Sequence, residues 1–265
     1  MAGYWWWLLG VGVVLWMNPQ VLPLNKGSWV PRFGEPGAPT EREMRQAALP
    51  RKLTLHMLTH SHSDIGWNLS FEGYYKASVH SVLRQVTREL WADGRRRFTW
   101  GDIAFLDMWM ADEGTQDSGL EADGKEMTWR EAVTVLVQRG QLDIVGGGYV
   151  SPDEGLTTWW AHNAIVDVGH RTLAELNTTT RVGWQIDNFG HMNTMAHVLS
   201  NTGYRQLVLG RMAFRQQYDL ATQGQLQFEW RSEEHGRLGA RGLLTHFLVD
   251  HYQAPSARFD FDFTA

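Results

Sequence analysis

His60-Ser61-His62-Ser63-Asp64-Ile65-Gly66-Trp67 is the stretch from which the fold can be read. It follows a short apolar, strand-like run, Leu53 to Thr59. If strand geometry persists, His60, His62 and Asp64 point to one side, because strand side chains alternate with period two. Imidazole nitrogen with carboxylate oxygen is a ligand set for Zn²⁺ or a similar divalent ion. An H-x-H alone fits equally well a polar loop whose histidines bond the backbone. The in-phase aspartate shifts the reading to a metal, and so does a second carboxylate motif downstream.

That second motif is Trp184-Gln185-Ile186-Asp187-Asn188-Phe189-Gly190-His191, at the end of another strand-like run, Arg181 to Ile186. Together the two motifs resemble the α-mannosidases of glycoside hydrolase family 38, where they read H-x-H-x-D-x-G-W and Q-I-D-P-F-G-H-S. The resemblance runs from about Leu53 to about Arg231 and becomes loose after Leu243. It also covers Gly146-Gly147-Gly148-Tyr149, Asp153-Glu154 and Leu209-Gly210-Arg211.

The resemblance implies a distorted seven-stranded β/α barrel of the glycoside hydrolase and deacetylase type, of which this chain is the N-terminal part. It implies a Zn²⁺ site formed by His62, Asp64 and Asp187, with Asp187 also the catalytic nucleophile. His60 would orient a ligand, although a buried histidine bonded to the backbone explains it equally well. Trp67 would floor the sugar site, and Arg211 would lie near the substrate; a core Trp and a surface Arg are the plain alternatives. Asp153 and Glu154 would flank the site, but a solvated turn accounts for them more simply. Asn188 stands where the family has Pro, which frees the backbone after the nucleophile, and Met192 stands where it usually has Ser. The family's general acid aspartate and fourth ligand, a histidine, come from chain beyond the position of Ala265. His246, Asp250 and His251 are not promoted to those roles.

Composition agrees with a folded domain: 43% hydrophobic and 20% charged residues argue against disorder. A net charge of −5 points to neither nucleic acid nor an anionic membrane as partner. The absence of cysteine excludes disulfides and thiolate ligands, so any metal is held by nitrogen and oxygen.

Tyr4 to Met17 is a continuous apolar run, shorter than the roughly 20 residues a membrane span needs. It reads as the h-region of a signal peptide, or as a short signal anchor, within residues 1–24. Such a leader implies the secretory pathway, with a lysosomal or secreted destination, or the Golgi membrane as the alternative. Residues 25–51, rich in Pro, Gly and charge, read as a linker. From residue 52 to 265 the pattern is strand then helix. Strands are expected over Leu53–Thr59, Arg97–Trp100, Leu142–Val145, Arg181–Ile186, Arg205–Leu209, Phe228–Trp230 and Leu243–Val249. Helices are expected over Phe71–Asp93, Ile103–Met110, Thr128–Arg139, Thr157–Leu176 and Asn193–Thr202, with Thr128 and Glu131 forming a capping box. Glu113 to Lys125 reads as a loop.

That rhythm means a parallel sheet with crossover helices, an α/β fold. His62 and Asp64, Asp102, Asp153, Asp187 and Arg211 each follow a different strand, and chemistry in such folds sits at the carboxyl ends of strands. A retaining glycosidase needs one carboxylate to attack the anomeric carbon and another to protonate the leaving oxygen, about 5 Å apart. Mannosyl glycans are the substrate class the resemblance implies. Two other readings remain. One is a different metal-dependent hydrolase or deacetylase. The other is a non-catalytic sugar-binding relative or a catalytically incomplete fragment.

Overall fold

The computed structural model describes residues 11–17, 55–231, 242–248 and 252. The expected linker, residues 25–51, lies outside them, as do Tyr4 to Gly10, Asp250 and His251.

The described chain is mixed α/β. Strand β1 is Val11–Met17, and β2 is Leu55–Ser61. A helix, α1, runs through Phe71–Tyr74, a π-helical turn at Tyr75–Val79, and His80–Ala92. Strand β3, Phe98–Trp100, leads into α2, Ile103–Asp112. A hairpin follows, β4 at Asp117–Ala122 and β5 at Lys125–Thr128. Then come α3 (Trp129–Gln138), β6 (Leu142–Ile144), α4 (Trp159–Ala174) and β7 (Val182–Gln185). The last elements are α5 (Met195–Asn201), β8 (Gln206–Leu209), α6 (Phe214–Thr222), β9 (Gln227–Trp230) and β10 (Leu243–Phe247).

Two sheets carry the fold, in strand orders β1-β2-β3-β6 and β7-β8-β10-β9. The pairs β2–β3, β3–β6, β7–β8 and β8–β10 are parallel, as the strand-then-helix pattern requires. The two sheets meet where Gly146 N–H, just past β6, donates to Val182 O at the start of β7, at 2.8 Å. Among the described residues the strands do not close into the expected seven-stranded barrel. The strands at this junction are three and four residues long, so little ladder is available to fuse the sheets. At the other end, the free edge of β2 is taken by β1, which pairs antiparallel from Val11↔Ser61 to Met17↔Leu55. A run that is apolar and rich in Val suits either hydrocarbon or a sheet edge; here its strand takes up the backbone groups β2 would otherwise expose.

The other departures are local. The loop expected over Glu113–Lys125 instead holds β4 and the turn of the β4–β5 hairpin, at Asp123-Gly124 with φ of 51° and 74°. An Asp-Gly pair is a strong hairpin signal, because both turn residues need positive φ. Helix α6 was not expected. The predicted capping box is present: Thr128 Oγ1 accepts from Glu131 N–H, and Glu131 carboxylate accepts from Thr128 N–H at 2.8 Å.

Helices α1, α2 and α3 pack on β3 and β6 around Trp100, Phe105, Leu106, Trp109, Trp129 and Leu136, all buried. A second core joins α5 to β8 and β10 through Val198, Leu199, Leu207, Leu243 and Phe247. Between them Ile186 and Leu248 pack with Leu58, Trp184, Val208 and Tyr252, drawing both sheets together beneath the polar ends of β2 and β7. Close approach dictates one glycine. At Gly147, φ is +73°, and a Cβ would meet Tyr204 Oη and Thr180 Cγ2 at 2.4 Å, so no side chain fits.

Candidate active site

The residues just past the ends of β2 and β7 converge. One ligand atom each from His62, Asp64 and Asp187 lies within 4.8 Å of the others. His62 Nε2 is 3.4 Å from Asp64 Oδ1 and 3.5 Å from Asp187 Oδ2. Strand β2 carries His60, and the chain leaving it places His62 and then Asp64 on the same rim. The imidazole is largely buried, with 16% side-chain exposure.

A buried nitrogen facing two carboxylate oxygens at these separations forms no tight hydrogen bond with either, and the two oxygens lie within 4.8 Å of each other. One imidazole and two carboxylates suit a borderline divalent ion such as Zn²⁺, so the donor set fits the metal that the sequence led us to expect.

Without metal, a proton on His62 supplies the missing positive charge. Burial pulls its pKa down, but the carboxylates of Asp187 and Asp64, with the charge of Asp102, outweigh burial and lift it to about 10. Asp187 shows the converse. Burial pushes its carboxyl up, but His62, Arg211 and Tyr252 together hold it well below the usual carboxylate range. The two Asp187 oxygens divide their partners. Oδ1 accepts from Arg211 Nε at 2.8 Å, from Arg211 Nη2 and from Tyr252 Oη at 2.9 Å, whereas Oδ2 faces His62.

His60 is fully buried, its ring 5.4 Å from Trp184 in an edge contact, and burial lowers its pKa to about 4. It packs beneath the site as a neutral imidazole. Trp67 lies just after Asp64 with 76% exposure, so it is not a core tryptophan. Arg211 follows β8; besides Asp187 it stacks its guanidinium 4.8 Å from the Phe189 ring. Asp102, after β3, accepts Ser63 N–H at 3.1 Å and so pins the loop between His62 and Asp64; desolvation raises its carboxyl to about 6. His246 lies within β10 and is not one of these three clustered residues.

The expectation for Asp153 and Glu154 as a solvated turn changes. Glu154 is buried, and its Oε2 accepts Met192 N–H; Asp153 Oδ1 accepts Phe189 N–H at 3.3 Å. Both tie the loop after β6 to the loop that carries Asp187. Tyr252 was missed by sequence reasoning, and no motif surrounds it. The only available signal was a tyrosine shortly after a predicted strand.

Residues 52–264 match the family described as glycosyl hydrolases family 38 N-terminal domain. The chain is 32% identical over 181 residues to Alpha-mannosidase 2 of Arabidopsis thaliana, and 31% identical over 180 residues to Alpha-mannosidase 2 of Homo sapiens. Each match covers 68% of this chain, but only 14% and 15% of those relatives. An alpha-mannosidase from Enterococcus faecalis V583 has a similar fold, with a TM-score of 0.56 at 19% identity over 74% of this chain and 20% of that one. With both of its signature carboxylates on one rim, this chain belongs to glycosyl hydrolase family 38.

Proposed function

We propose that this chain contributes the metal-binding and nucleophilic part of a zinc-dependent, retaining α-mannosidase acting on α-linked mannose of N-glycans. The observation that carries the reading is the meeting of His62, Asp64 and Asp187 just past the ends of β2 and β7, with Asp187 held ionised. On this reading the two sheets belong to a seven-stranded barrel. The composition of the apolar run Tyr4–Met17, whose last seven residues form β1 here, is what supports entry into the secretory pathway.

Zn²⁺, held by His62, Asp64 and Asp187, would supply Lewis acidity to adjacent sugar hydroxyls. The protein residues perform the remaining tasks. Trp67 offers an exposed indole face to the apolar face of the sugar ring. Arg211 and Tyr252 grip Asp187 Oδ1, fix the carboxylate and keep its negative charge at acidic pH. Asp187 attacks the anomeric carbon as the bond from that carbon to the leaving oxygen breaks. The bonding pair goes to the leaving oxygen, which takes a proton from a general acid. Water then hydrolyses the glycosyl ester on Asp187, so configuration is retained.

The decisive experiment combines metal analysis with covalent trapping. Purified chain should hold close to one equivalent of zinc, lost when His62→Ala and Asp64→Ala are combined. A 5-fluoro-mannosyl fluoride should label Asp187, because fluoride departs without a proton from a general acid. Unchanged zinc in the double variant, or label only on other residues, would end the assignment.

A further inference from the structure

Asn188, directly after the proposed nucleophile, is 3% exposed and uses both ends of its amide. Its Nδ2 donates to Pro152 O at 2.5 Å, and its Oδ1 accepts from Ser151 Oγ at 3.1 Å. Those partners fix the orientation of the amide, since a carbonyl only accepts and the hydroxyl donates toward Oδ1. The same two loops are joined twice more. Phe189 N–H reaches Asp153 Oδ1, and Met192 N–H reaches Glu154 Oε2. Residues 151 to 154 thus run beside residues 188 to 192, tied at each step by a side chain. His191 closes the arrangement: its Nε2 is 2.9 Å from Arg211 O, so it carries the proton there, and Arg211 in turn grips Asp187.

We propose that Asn188, seated between Ser151 and Pro152, is the positioning residue that sets the Asp187 carboxylate for metal binding and attack. The inference rests on the reading of Asp187 as ligand and nucleophile. Strand β7 fixes the backbone before Asp187, and the strap anchored by Asn188 fixes it afterwards. Two part-buried hydrogen bonds from a side chain that is itself buried restrict this backbone. A buried amide is costly unless both its groups are bonded, so this asparagine has one seat. Its loss leaves the Ser151 hydroxyl and the Pro152 carbonyl without it and frees the peptide that carries Asp187.

The test uses Asn188→Ala and Ser151→Ala in the full chain. At saturating Zn²⁺, Asn188→Ala should slow fluorosugar labelling of Asp187 about tenfold at saturation while the half-saturating concentration holds, the scale expected for losing buried hydrogen bonds. Zn²⁺ affinity should fall by a similar factor, and amide exchange at Phe189 and Met192 should quicken. Ser151→Ala, which removes one of the two bonds, should move each readout the same way by less; it carries the test if Asn188→Ala does not fold. Unchanged exchange at both amides, or a loss confined to half-saturation, would overturn the proposal. If the parent takes up no Zn²⁺ and no label, the reading of Asp187 falls, and exchange alone then decides whether Asn188 holds the loop.

Discussion

The Tyr252 hydroxyl donates to Asp187 Oδ1 across 2.9 Å, although 65 residues separate the two in sequence. It shares that oxygen with Arg211 and leaves Oδ2 toward His62. Tyr252→Phe keeps the ring against His62, 5.2 Å away, and removes only the donor. A hydrogen bond to a charged group contributes about 1.5–3 kcal/mol, so labelling of Asp187 by the fluorosugar should slow by about ten- to a hundredfold. An unchanged rate would show that the carboxylate is fixed without the tyrosine hydroxyl.

Proton linkage gives a second prediction. His62 has a raised pKa, so its contribution to the stability of the metal-free protein is complete below the unfolded value of 6.5. That contribution is lost as pH rises through about 10. Asp187 has a lowered pKa; its contribution is present above the unfolded value of 3.8 and is lost as pH falls below it. Zn²⁺ needs His62 neutral, so binding near neutral pH must expel about one proton. Apparent Zn²⁺ affinity should therefore rise about tenfold per pH unit between roughly pH 6.5 and 9. Calorimetry in buffers of different ionisation enthalpy should count the released proton. A flat profile would place the metal elsewhere.

The sequence makes the centre of the site legible, but not its supports. His62 and Asp64 were readable because strand periodicity and ligand chemistry coincide within a few residues. Thr128 and Glu131 were readable because a capping box is a local rule. The β4–β5 hairpin was lost because acid and glycine at residues 113–125 suggested a loop, although Asp123-Gly124 marked the turn. The seat of Asn188 was not legible: replacing proline suggested a looser backbone, and the partners of its amide, Ser151 and Pro152, lie 37 and 36 residues upstream and belong to no local pattern. Tyr252 and the buried Glu154 were hidden for the same reason, since contacts across loops depend on the tertiary fold.

Secretory entry makes a prediction at Asn177-Thr178-Thr179. Asn177 is exposed just past α4 with φ of 51°, open to a glycosyltransferase. It should carry glycan in a secretory host. Asn68-Leu69-Ser70 is also exposed, but it adjoins Trp67, where a glycan would obstruct the proposed sugar site. We expect Asn68 unmodified. Mass spectrometry of the secreted protein before and after glycosidase treatment distinguishes the two; a cytosolic, unglycosylated product would refute secretory entry.

Leaving-group dependence tests the catalytic division of labour in the 265-residue polypeptide. On the proposed reading Asp187 supplies the nucleophile, but the carboxylates described around it have other partners. Asp64 faces His62, Asp102 holds Ser63 N–H, and Asp153 holds Phe189 N–H. Among the described residues these three are committed to other partners, and a missing general acid costs on the order of 10²–10⁴ in rate. The cost applies only where the leaving oxygen needs a proton. A dinitrophenolate departs as a stable anion, whereas an alkyl or sugar oxygen does not. With Zn²⁺ present, the polypeptide should release dinitrophenol from its α-mannoside measurably and methyl α-mannoside hardly at all, and Asp187→Ala should abolish both. The dinitrophenyl reaction should also lack the alkaline fall in rate that loss of a catalytic acid's proton produces. Methyl mannoside turnover at ordinary glycosidase rates would show that one of these carboxylates serves as the acid. Asp102 would be tested first, since its carboxyl is raised to about 6 and stays protonated in mild acid.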